Sequence, residues 1–213
     1  MSNRAPALRP PHMSKVTGHV AVSIDGFVAG PDQSEEHPLG LGGPRLHEWH
    51  LPGREHHPVD EEAAKAILEG NGAYVMGRNM FGPIRGEWSG DWRGWWGPEP
   101  PYHAPVFVLT HHPREDVVME GGTTFSFVTD GFDAALARAR EAAGPDRNVS
   151  IAGGASTINQ ALAAGVLDEL TLHVVPVVLG AGERLFVDVG DPRMEVVEAT
   201  TSPGATHVRY RRV

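Results

Sequence analysis

The sequence contains no cysteine. A chain without thiols forms no disulfide, has no thiolate nucleophile and offers no cysteine ligand to zinc, so these three kinds of site are excluded. The sequence also lacks an apolar run long enough to cross a bilayer, and its first residues have no apolar segment of the kind found in secretory signals. We therefore expect a cytoplasmic protein with no membrane partner.

Basic stretches are scarce as well. The formal net charge is −9, from 18 Lys and Arg against 27 Asp and Glu. An acidic chain without a basic run is a poor partner for nucleic acid, so we expect none. The 213 residues suit one α/β domain. We expect residues 1–14, which show no periodicity, to be a disordered extension, and residues 15–213 to form a single domain.

The most informative stretch is NVSIAGGASTINQALAA, residues 148–164. It reads as a short apolar strand, a turn at Gly153-Gly154 and a helix that ends at Gly165. Glycines between a strand and a helix N-terminus let backbone approach a ligand, and the free N–H groups of the first helical turn favour an anion. Ser156 and Thr157 add hydroxyl groups. The turn is therefore either a phosphate cradle or a tight connection without a ligand, with about equal weight on the residues alone.

Apolar runs and helical periodicity alternate through the middle of the chain, and apolar runs close it. Strands are expected at residues 16–24, 73–76, 105–109, 125–129, 149–152, 169–178, 194–200 and 206–212. Helices are expected at residues 45–51, at 60–69 with Asp60 as N-cap, from a cap at Asp130 to Ala143, and after Gly154. This order predicts an α/β fold whose sheet is mostly parallel, has an antiparallel C-terminal edge and carries helices on both faces.

Two segments allow further interpretations. The sequence HEWH places His47 and His50 three residues apart, with His56 and His57 nearby, which is a possible but weak metal site; surface histidines are the simpler interpretation, and we expect no metal. A second segment, residues 82–104, is rich in tryptophan and glycine. Its Trp88, Trp92, Trp95 and Trp96 either cap a core, which is the simpler interpretation, or line a pocket or an interface.

Five motifs occur in a recognisable order: SIDGFVAG, VMGRNMF, FVLTHHPRE, IAGGAST and LHVVPVVLGAGERLF. Together they resemble the dihydrofolate-reductase-like fold, and in particular the branch that contains the reductase domain of bacterial riboflavin biosynthesis. The resemblance covers residues 15–213, while the Trp-rich insertion is not part of the basic pattern. It implies a three-layer fold that binds NADPH across the C-terminal ends of the strands and transfers a hydride to a small heterocyclic substrate of the pterin or pyrimidine type.

The resemblance also implies which residues contact the cofactor. Three turns correspond to the phosphate-binding positions, and two short segments correspond to the nicotinamide end. The phosphate-side residues are Gly77, Arg78, Asn79, Met80, Leu109, Thr110, His111, Gly153, Gly154, Ala155, Ser156 and Thr157. The nicotinamide-side residues are Val20 and Ala21 on the first strand, with Val28, Ala29 and Gly30 in a loop that closes over the ring. An arginine at position 78 suits the extra 2′-phosphate of NADPH, because a guanidinium binds phosphate oxygens in pairs.

The substrate end resembles the family least. Glu48 corresponds by position to the carboxylate of folate reductases, Asp25 lies in the SIDG motif, and His173 lies on a strand that faces the substrate pocket. These three are the catalytic candidates that the resemblance implies. A non-catalytic nucleotide-binding or sensor protein on the same fold is the alternative function, since the cofactor motifs do not distinguish the two. Related proteins often form homodimers, and we expect a homodimer here.

Overall fold

The fold is described from a computed structural model that covers residues 14–53, 55–82 and 85–213. The extension expected at residues 1–14 therefore lies, apart from Ser14, outside the described residues. Eleven strands are present in this part of the chain: β1 Val16–Ser23, β2 Phe27–Ala29, β3 Asn71–Gly77, β4 Pro105–Leu109, β5 Val117–Val118, β6 Thr124–Val128, β7 Asn148–Gly153, β8 Glu169–Val175, β9 Glu183–Arg184, β10 Met194–Thr201 and β11 Thr206–Arg212. The α-helices are α1 Pro58–Ala66, α2 Arg78–Phe81, α3 Phe132–Ala143 and α4 Ala155–Ala163, and 3₁₀ turns occur at Gly43–His47 and Glu120–Gly122.

Nine strands form one sheet in the order β10-β11-β8-β1-β7-β3-β4-β6-β5. Strands β8, β1, β7, β3, β4 and β6 pair in parallel, whereas β11 runs antiparallel to both β8 and β10. The mostly parallel sheet with an antiparallel C-terminal edge is thereby confirmed. A separate pair, β2 and β9, lies beside the end of β1. The carboxyl ends of six parallel strands meet at one edge, which is where open α/β sheets bind ligands.

The two faces of the sheet carry different helices. On one face, α3 and α4 pack through small and branched side chains such as Ala135, Ala139 and Ile158, which are fully buried. On the opposite face, residues of α1 pack against a smaller cluster that contains Ala21 and Trp49. Because neighbouring residues of a strand point to opposite faces, β1 contributes to both cores. The expected arrangement of helices on both faces is confirmed.

The start of α1 differs from the sequence prediction. The helix begins at Pro58 rather than at residue 60, and its N-cap is His57, whose Nδ1 accepts a hydrogen bond from the Val59 amide at 3.3 Å. Asp60 lies within the first turn and is 3% exposed. The prediction of Asp60 as the cap was wrong because its carboxylate bonds to residues that are remote in the sequence, as described below.

The start of α3 also differs, since its N-cap is Gly131 with φ 90° rather than Asp130. A backbone of this conformation suits glycine and needs no side-chain cap. The carboxylate of Asp130 instead accepts a hydrogen bond from Arg138 at 2.9 Å on the surface. The helix expected at residues 45–51 is shorter than predicted, with a 3₁₀ turn at Gly43–His47 followed by an irregular segment.

The tryptophan cluster packs against a core. Trp88, Trp92 and Trp96 lie on a group of buried residues from β3, β4 and β6, and Trp95 contacts the Trp92 ring with centroids 4.4 Å apart. The indole N–H of Trp92 donates to the Phe81 carbonyl at 2.9 Å, which satisfies its polar atom. The packing interpretation is therefore confirmed. Within the described ranges, no helix combines the length and the apolar character that a bilayer crossing requires.

Candidate active site

Two glycine turns meet at the carboxyl edge of the sheet. Gly77 ends β3, and a Cβ atom built on it would lie 2.8 Å from Thr157 Oγ1, so only glycine allows this approach. Gly153 ends β7 with φ +121° and is joined to Gly154 by a cis peptide bond. Helix α4 begins directly after this turn, at Ala155. The two turns thus bring bare backbone and a helix N-terminus to one place, and the phosphate cradle itself stays a prediction.

The first turn of α4 leaves two backbone donors available. The amides of Thr157 and Ile158 donate to the Gly154 carbonyl at 3.1 and 3.2 Å. In the part of the chain that the structure describes, the amides of Ala155 and Ser156 have no such acceptor. A groove of about 380 Å³ opens beside these residues. Its lining includes one basic side chain, Arg184 of β9, and two acidic ones, Glu183 and Asp188.

Arg78, the first residue of α2, is the central cation of this edge. Its Nη1 donates to Thr110 Oγ1 at 3.3 Å, and its guanidinium lies 3.2 Å from the centroid of the Trp88 ring. The Nε and Nη2 atoms are buried and have no hydrogen-bond partner among the described residues. Burial lowers the pKa of Arg78, and the charges of Arg114 and Arg85 add to this effect. An arginine with two unmet donors is suited to an anion that the protein itself does not supply.

A second guanidinium approaches the same ring. Arg114 lies 4.9 Å from the Trp88 centroid and 5.3 Å from that of Phe127, and its Nη1 is also buried without a partner in the described ranges. Burial lowers the pKa of Arg114, and Asp91 partly opposes this. Two guanidinium groups held on one indole repel each other unless an anion lies between them. We call Arg78, Arg114, Thr110 and Trp88 the arginine cluster.

The remaining phosphate-side candidates surround these groups. Leu109 ends β4 and Thr110 follows it, and the Thr110 hydroxyl also accepts a hydrogen bond from the His112 amide at 3.1 Å. Met80 Sδ lies 3.4 Å from the position that a Cβ on Gly153 would occupy. Asn79 and His111 are exposed. The three predicted turns lie at the ends of three neighbouring parallel strands. Residues 77–80 begin at the last residue of β3, residues 109–111 at the last residue of β4 and residues 153–157 at the last residue of β7.

The nicotinamide-side candidates lie on β1 and β2. Val20 and Ala21 are buried in the middle of β1, on opposite faces of the sheet. Val28 belongs to β2, which pairs with β9. Gly30 is tightly packed, since a Cβ on it would lie 2.0 Å from the Leu41 carbonyl oxygen. The loop after β2 therefore closes on its own backbone, and Gly30 is a requirement of that closure.

Asp25 is held by backbone amides. Its carboxylate accepts hydrogen bonds from the Leu179 and Gly180 amides at 3.2 and 2.7 Å. The Ser23 hydroxyl, followed by these amides, lowers the pKa of Asp25 to about 2. Asp25 is thus an anion at neutral pH that ties the end of β1 to the loop after β8. Its role toward a substrate stays a prediction, and a proton donor at neutral pH needs a higher pKa than this.

The other two catalytic candidates differ in burial. Glu48 is exposed and follows the 3₁₀ turn Gly43–His47, while its neighbour Trp49 turns into the core with 4% exposure. His173 is 1% exposed on β8, opposite Ala21 of β1 in the strand register. Burial, followed by the charges of neighbouring histidines, lowers the pKa of His173 to about 2. The catalytic roles of Glu48 and His173 stay predictions.

The histidines considered for a metal site do not form one cluster. His47 Nδ1 lies 3.3 Å from His50 Nε2, while His56 Nε2 lies 2.7 Å from the Leu51 carbonyl. Across the described ranges, no group of three or more His, Asp or Glu side chains is arranged to hold a metal ion. His57 caps α1, as shown above. His47 and His50 therefore form a hydrogen bond with each other.

Sequence reasoning missed four residues of this region. Arg114 lies within the FVLTHHPRE motif but was not singled out, and Trp88 was interpreted as a packing residue first, with pocket lining as the alternative. Asp60 and His207 were not considered as site residues. His207 forms a hydrogen bond with His173, and Asp60 forms one with His207. One signal for Asp60 is its place on the apolar stripe of α1, three and four residues before Ala63 and Ala64.

Comparison with known proteins places this geometry in a family. The model of the RibD C-terminal domain matches residues 14–208. The chain belongs to the RibD C-terminal domain family. Among curated proteins, the uncharacterized protein YwjB of Bacillus subtilis (strain 168) is 39% identical over 61 residues, which is 29% of this chain. That match spans 34% of YwjB, about a third of its length.

Solved structures share the fold across nearly the whole chain. A putative riboflavin biosynthesis protein from Shewanella sp. PV-4 has a TM-score of 0.60 and 22% identity, covering 93% of this chain and 99% of its own. Dihydrofolate reductase from Enterococcus faecalis, complexed with NADP(H) and RAB-propyl, has a TM-score of 0.54 and 17% identity over 93% and 96%. A pyrimidine reductase-like protein from Corynebacterium diphtheriae has a TM-score of 0.54 and 16% identity over 94% and 92%. At these identities the likeness shows the dihydrofolate-reductase-like fold.

Proposed function

We propose that this RibD C-terminal domain protein is an NADPH-dependent reductase of a small heterocyclic substrate of the pterin or pyrimidine type. The observation that carries the proposal is the arginine cluster. Arg78 keeps two buried donors without a partner in the described ranges, and it does so beside the glycine turns at residues 77 and 153–154. The structural neighbours, which include a dihydrofolate reductase with NADP(H) and a pyrimidine reductase-like protein, support the same assignment.

The residues present fit the phosphate groups of NADPH. Arg78 and Arg114 would hold the 2′-phosphate, which NADH lacks, and the Thr110 hydroxyl, which accepts from Arg78 and donates to the His112 carbonyl at 3.3 Å, would position Arg78. The amides of Ala155 and Ser156 at the start of α4 would meet the pyrophosphate. When bound, NADPH supplies a hydride to the substrate. The protein then contributes orientation, exclusion of water and one proton.

The Arg78→Ala variant tests the cofactor assignment. A charged hydrogen bond contributes about 1.5 to 3 kcal/mol, so we expect the variant to bind NADPH about 10- to 100-fold more weakly than the wild type. Its affinity for NADH should change little, because NADH presents no 2′-phosphate. Protein tryptophan fluorescence and nicotinamide fluorescence follow both titrations. Arg138→Ala is the matched control, since Arg138 is an exposed arginine that pairs with Asp130 and is not part of the arginine cluster.

The outcomes separate the possible functions. Equal affinity of the wild type for NADPH and NADH would contradict the 2′-phosphate assignment, and no binding of either would contradict the reductase. If NADPH binds, a screen with dihydropterins, dihydrofolate and aminopyrimidines follows, with loss of nicotinamide absorbance as the readout. Tight binding without turnover of any of them would favour the non-catalytic sensor instead.

The assembly and the cytoplasmic location remain part of the proposal. Strand β10 forms one edge of the sheet and exposes Val196, 62% of which is accessible. Edge strands with apolar side chains can pair with a second copy. We expect a homodimer, and sedimentation analysis of the wild type and of Val196→Lys tests whether this edge is part of it.

A further inference from the structure

Three buried polar side chains form a continuous line on the α1 face of the sheet. His173 Nδ1 of β8 lies 2.8 Å from His207 Nδ1 of β11. His207 Nε2 lies 2.9 Å from Asp60 Oδ1 of α1. The exposed fractions of Asp60, His207 and His173 are 3%, 5% and 1%. Side chains from three distant parts of the sequence are thus held in one hydrogen-bonded row, which we call the histidine relay.

The free end of the relay is a buried nitrogen that lacks a partner. His173 Nε2 has no hydrogen bond within the described residues, and neither has Nδ1 of His19, whose ring stacks on His173 with centroids 5.6 Å apart. The ring of Trp49 covers both relay histidines, with centroids 4.7 Å from His173 and 4.9 Å from His207. Buried nitrogens of this kind usually have a partner, and two together point to a ligand.

The hydrogen-bond chemistry fixes the protons along the relay. The Ser202 hydroxyl donates to Asp60 Oδ2 at 2.9 Å, so the carboxylate accepts on both oxygens. His207 therefore donates its Nε2 proton to Asp60, and in the neutral ring its Nδ1 is an acceptor. His173 must then donate from Nδ1, which leaves a lone pair on Nε2. Asp60 thus determines, through His207, which nitrogen of His173 carries no proton.

His173 itself is a poor place for a positive charge. Its ring is 1% exposed, and burial together with the neighbouring histidines lowers its pKa to about 2. A proton that arrives at Nε2 can be taken up without charging this ring, if the Nδ1 proton passes to His207 at the same time. The charge then lies on His207, directly beside the Asp60 carboxylate.

We propose that Asp60 and His207 are positioning residues that make His173 a proton-exchange site for the substrate of the reductase. In the loaded relay, His207 is an imidazolium and His173 carries its proton on Nε2. When a hydride adds to a carbon of the heterocycle, the Nε2 proton passes to the adjacent ring nitrogen of the substrate. The Nδ1 proton of His207 returns to His173, and solvent water later restores the lost proton. This inference rests on the proposed function.

The geometry also indicates the shape of the ligand. The indole of Trp49 lies against the His173 ring, with centroids 4.7 Å apart and planes tilted by 35°, so a flat heterocycle that takes the place of this indole is the matching class. Ala21, which was predicted to lie near the nicotinamide, is the strand neighbour of His173 in the register. The hydride donor and the relay would therefore face the same small space.

Nitrogen NMR on the full chain with ¹⁵N-labelled histidine tests the relay without any substrate. We expect a coupling across the hydrogen bond between the Nδ1 atoms of His173 and His207, with Nε2 of His173 unprotonated at neutral pH. His207→Phe should abolish the coupling, and His37→Gln, which changes an exposed loop histidine, should leave it intact. A His173 ring protonated on both nitrogens at neutral pH, or the absence of any coupling in the wild type, would overturn the proposal.

Kinetics give the second readout and separate this inference from the proposed function. A positioned acid or base contributes typically about 100-fold or more, so His207→Phe and Asp60→Asn should lower kcat to that extent while NADPH affinity changes less than about twofold. Asp60→Asn keeps the size of the side chain and removes its charge. Unchanged kcat in both variants would overturn the relay and leave the reductase intact. Failure of the wild type to bind NADPH would instead contradict the reductase, and the NMR result would still decide the state of the relay.

Discussion

Acidification should destabilise this protein before its carboxylates titrate. Burial lowers the pKa of His173 from 6.5 to about 2. Below pH 6.5 this histidine is therefore protonated in the unfolded chain but stays neutral in the folded chain. Stability is therefore fully present above that value and falls as the pH drops. Each pH unit costs about 1.4 kcal/mol, so lowering the pH from 6.5 to about 5 removes about 2 kcal/mol through His173 alone. Burial lowers the pKa of His19 and His47 to about 4, which adds to the loss.

Urea unfolding between about pH 7 and pH 5 measures this effect, with His173→Gln as the test variant and His37→Gln as the control. The slope of the unfolding free energy against pH should become shallower in His173→Gln by about 1 kcal/mol per pH unit on average over this range, approaching about 1.4 near pH 5, because one fewer histidine titrates on unfolding. His37 is exposed, so its variant should keep the slope of the wild type. Equal slopes in the wild type and in His173→Gln would refute the claim that the folded protein keeps His173 neutral.

Two substitutions test the packing and the polar core. Gly30→Ala should destabilise the protein by about 3 kcal/mol in urea unfolding, because the new Cβ would lie 2.0 Å from the Leu41 carbonyl oxygen; a loss below about 0.5 kcal/mol would show that this loop is not tightly closed. Asp60→Ala should cost about 3 kcal/mol, because it leaves buried donors without an acceptor, whereas Asp130→Ala, which breaks an exposed pair, should stay within about 0.5 kcal/mol. Similar losses of unfolding free energy in Asp60→Ala and Asp130→Ala would contradict the claim that Asp60 forms buried hydrogen bonds while Asp130 forms an exposed pair.

Local signals predicted the strands well where apolar runs have clear ends. Strand β4, residues 105–109, was placed with both ends correct, because PVFVL is bounded by a histidine-alanine step and by a polar turn. The antiparallel C-terminal edge was also confirmed, since β10 and β11 pair antiparallel on either side of the turn Ser202-Pro203-Gly204. Strands β2 and β9 were missed because they are three and two residues long, which is too short for any periodicity to appear.

Roles set by distant partners were not accessible from the sequence. Asp60 precedes an apolar helical pattern, so it resembles an N-cap, yet its carboxylate bonds to His207, 147 positions away. Arg78 was identified through a motif, whereas the stacking of its guanidinium on Trp88 depends on an insertion that passes back over the sheet edge. The glycine turn at 153–154 was recognised because strand, glycines and helix are consecutive, and a local pattern therefore contains the whole feature.

The central claim is that the arginine cluster binds the 2′-phosphate of NADPH, and phosphorus NMR of the bound cofactor tests it most directly. At about pH 6 a free phosphate monoester is only partly ionised. We predict that binding to the wild-type protein moves the 2′-phosphate resonance to the position of the dianion, and that Arg78→Ala reduces this shift while the pyrophosphate resonances still move. A 2′-phosphate resonance that stays at its free position while the pyrophosphate resonances shift in the wild type would contradict the account.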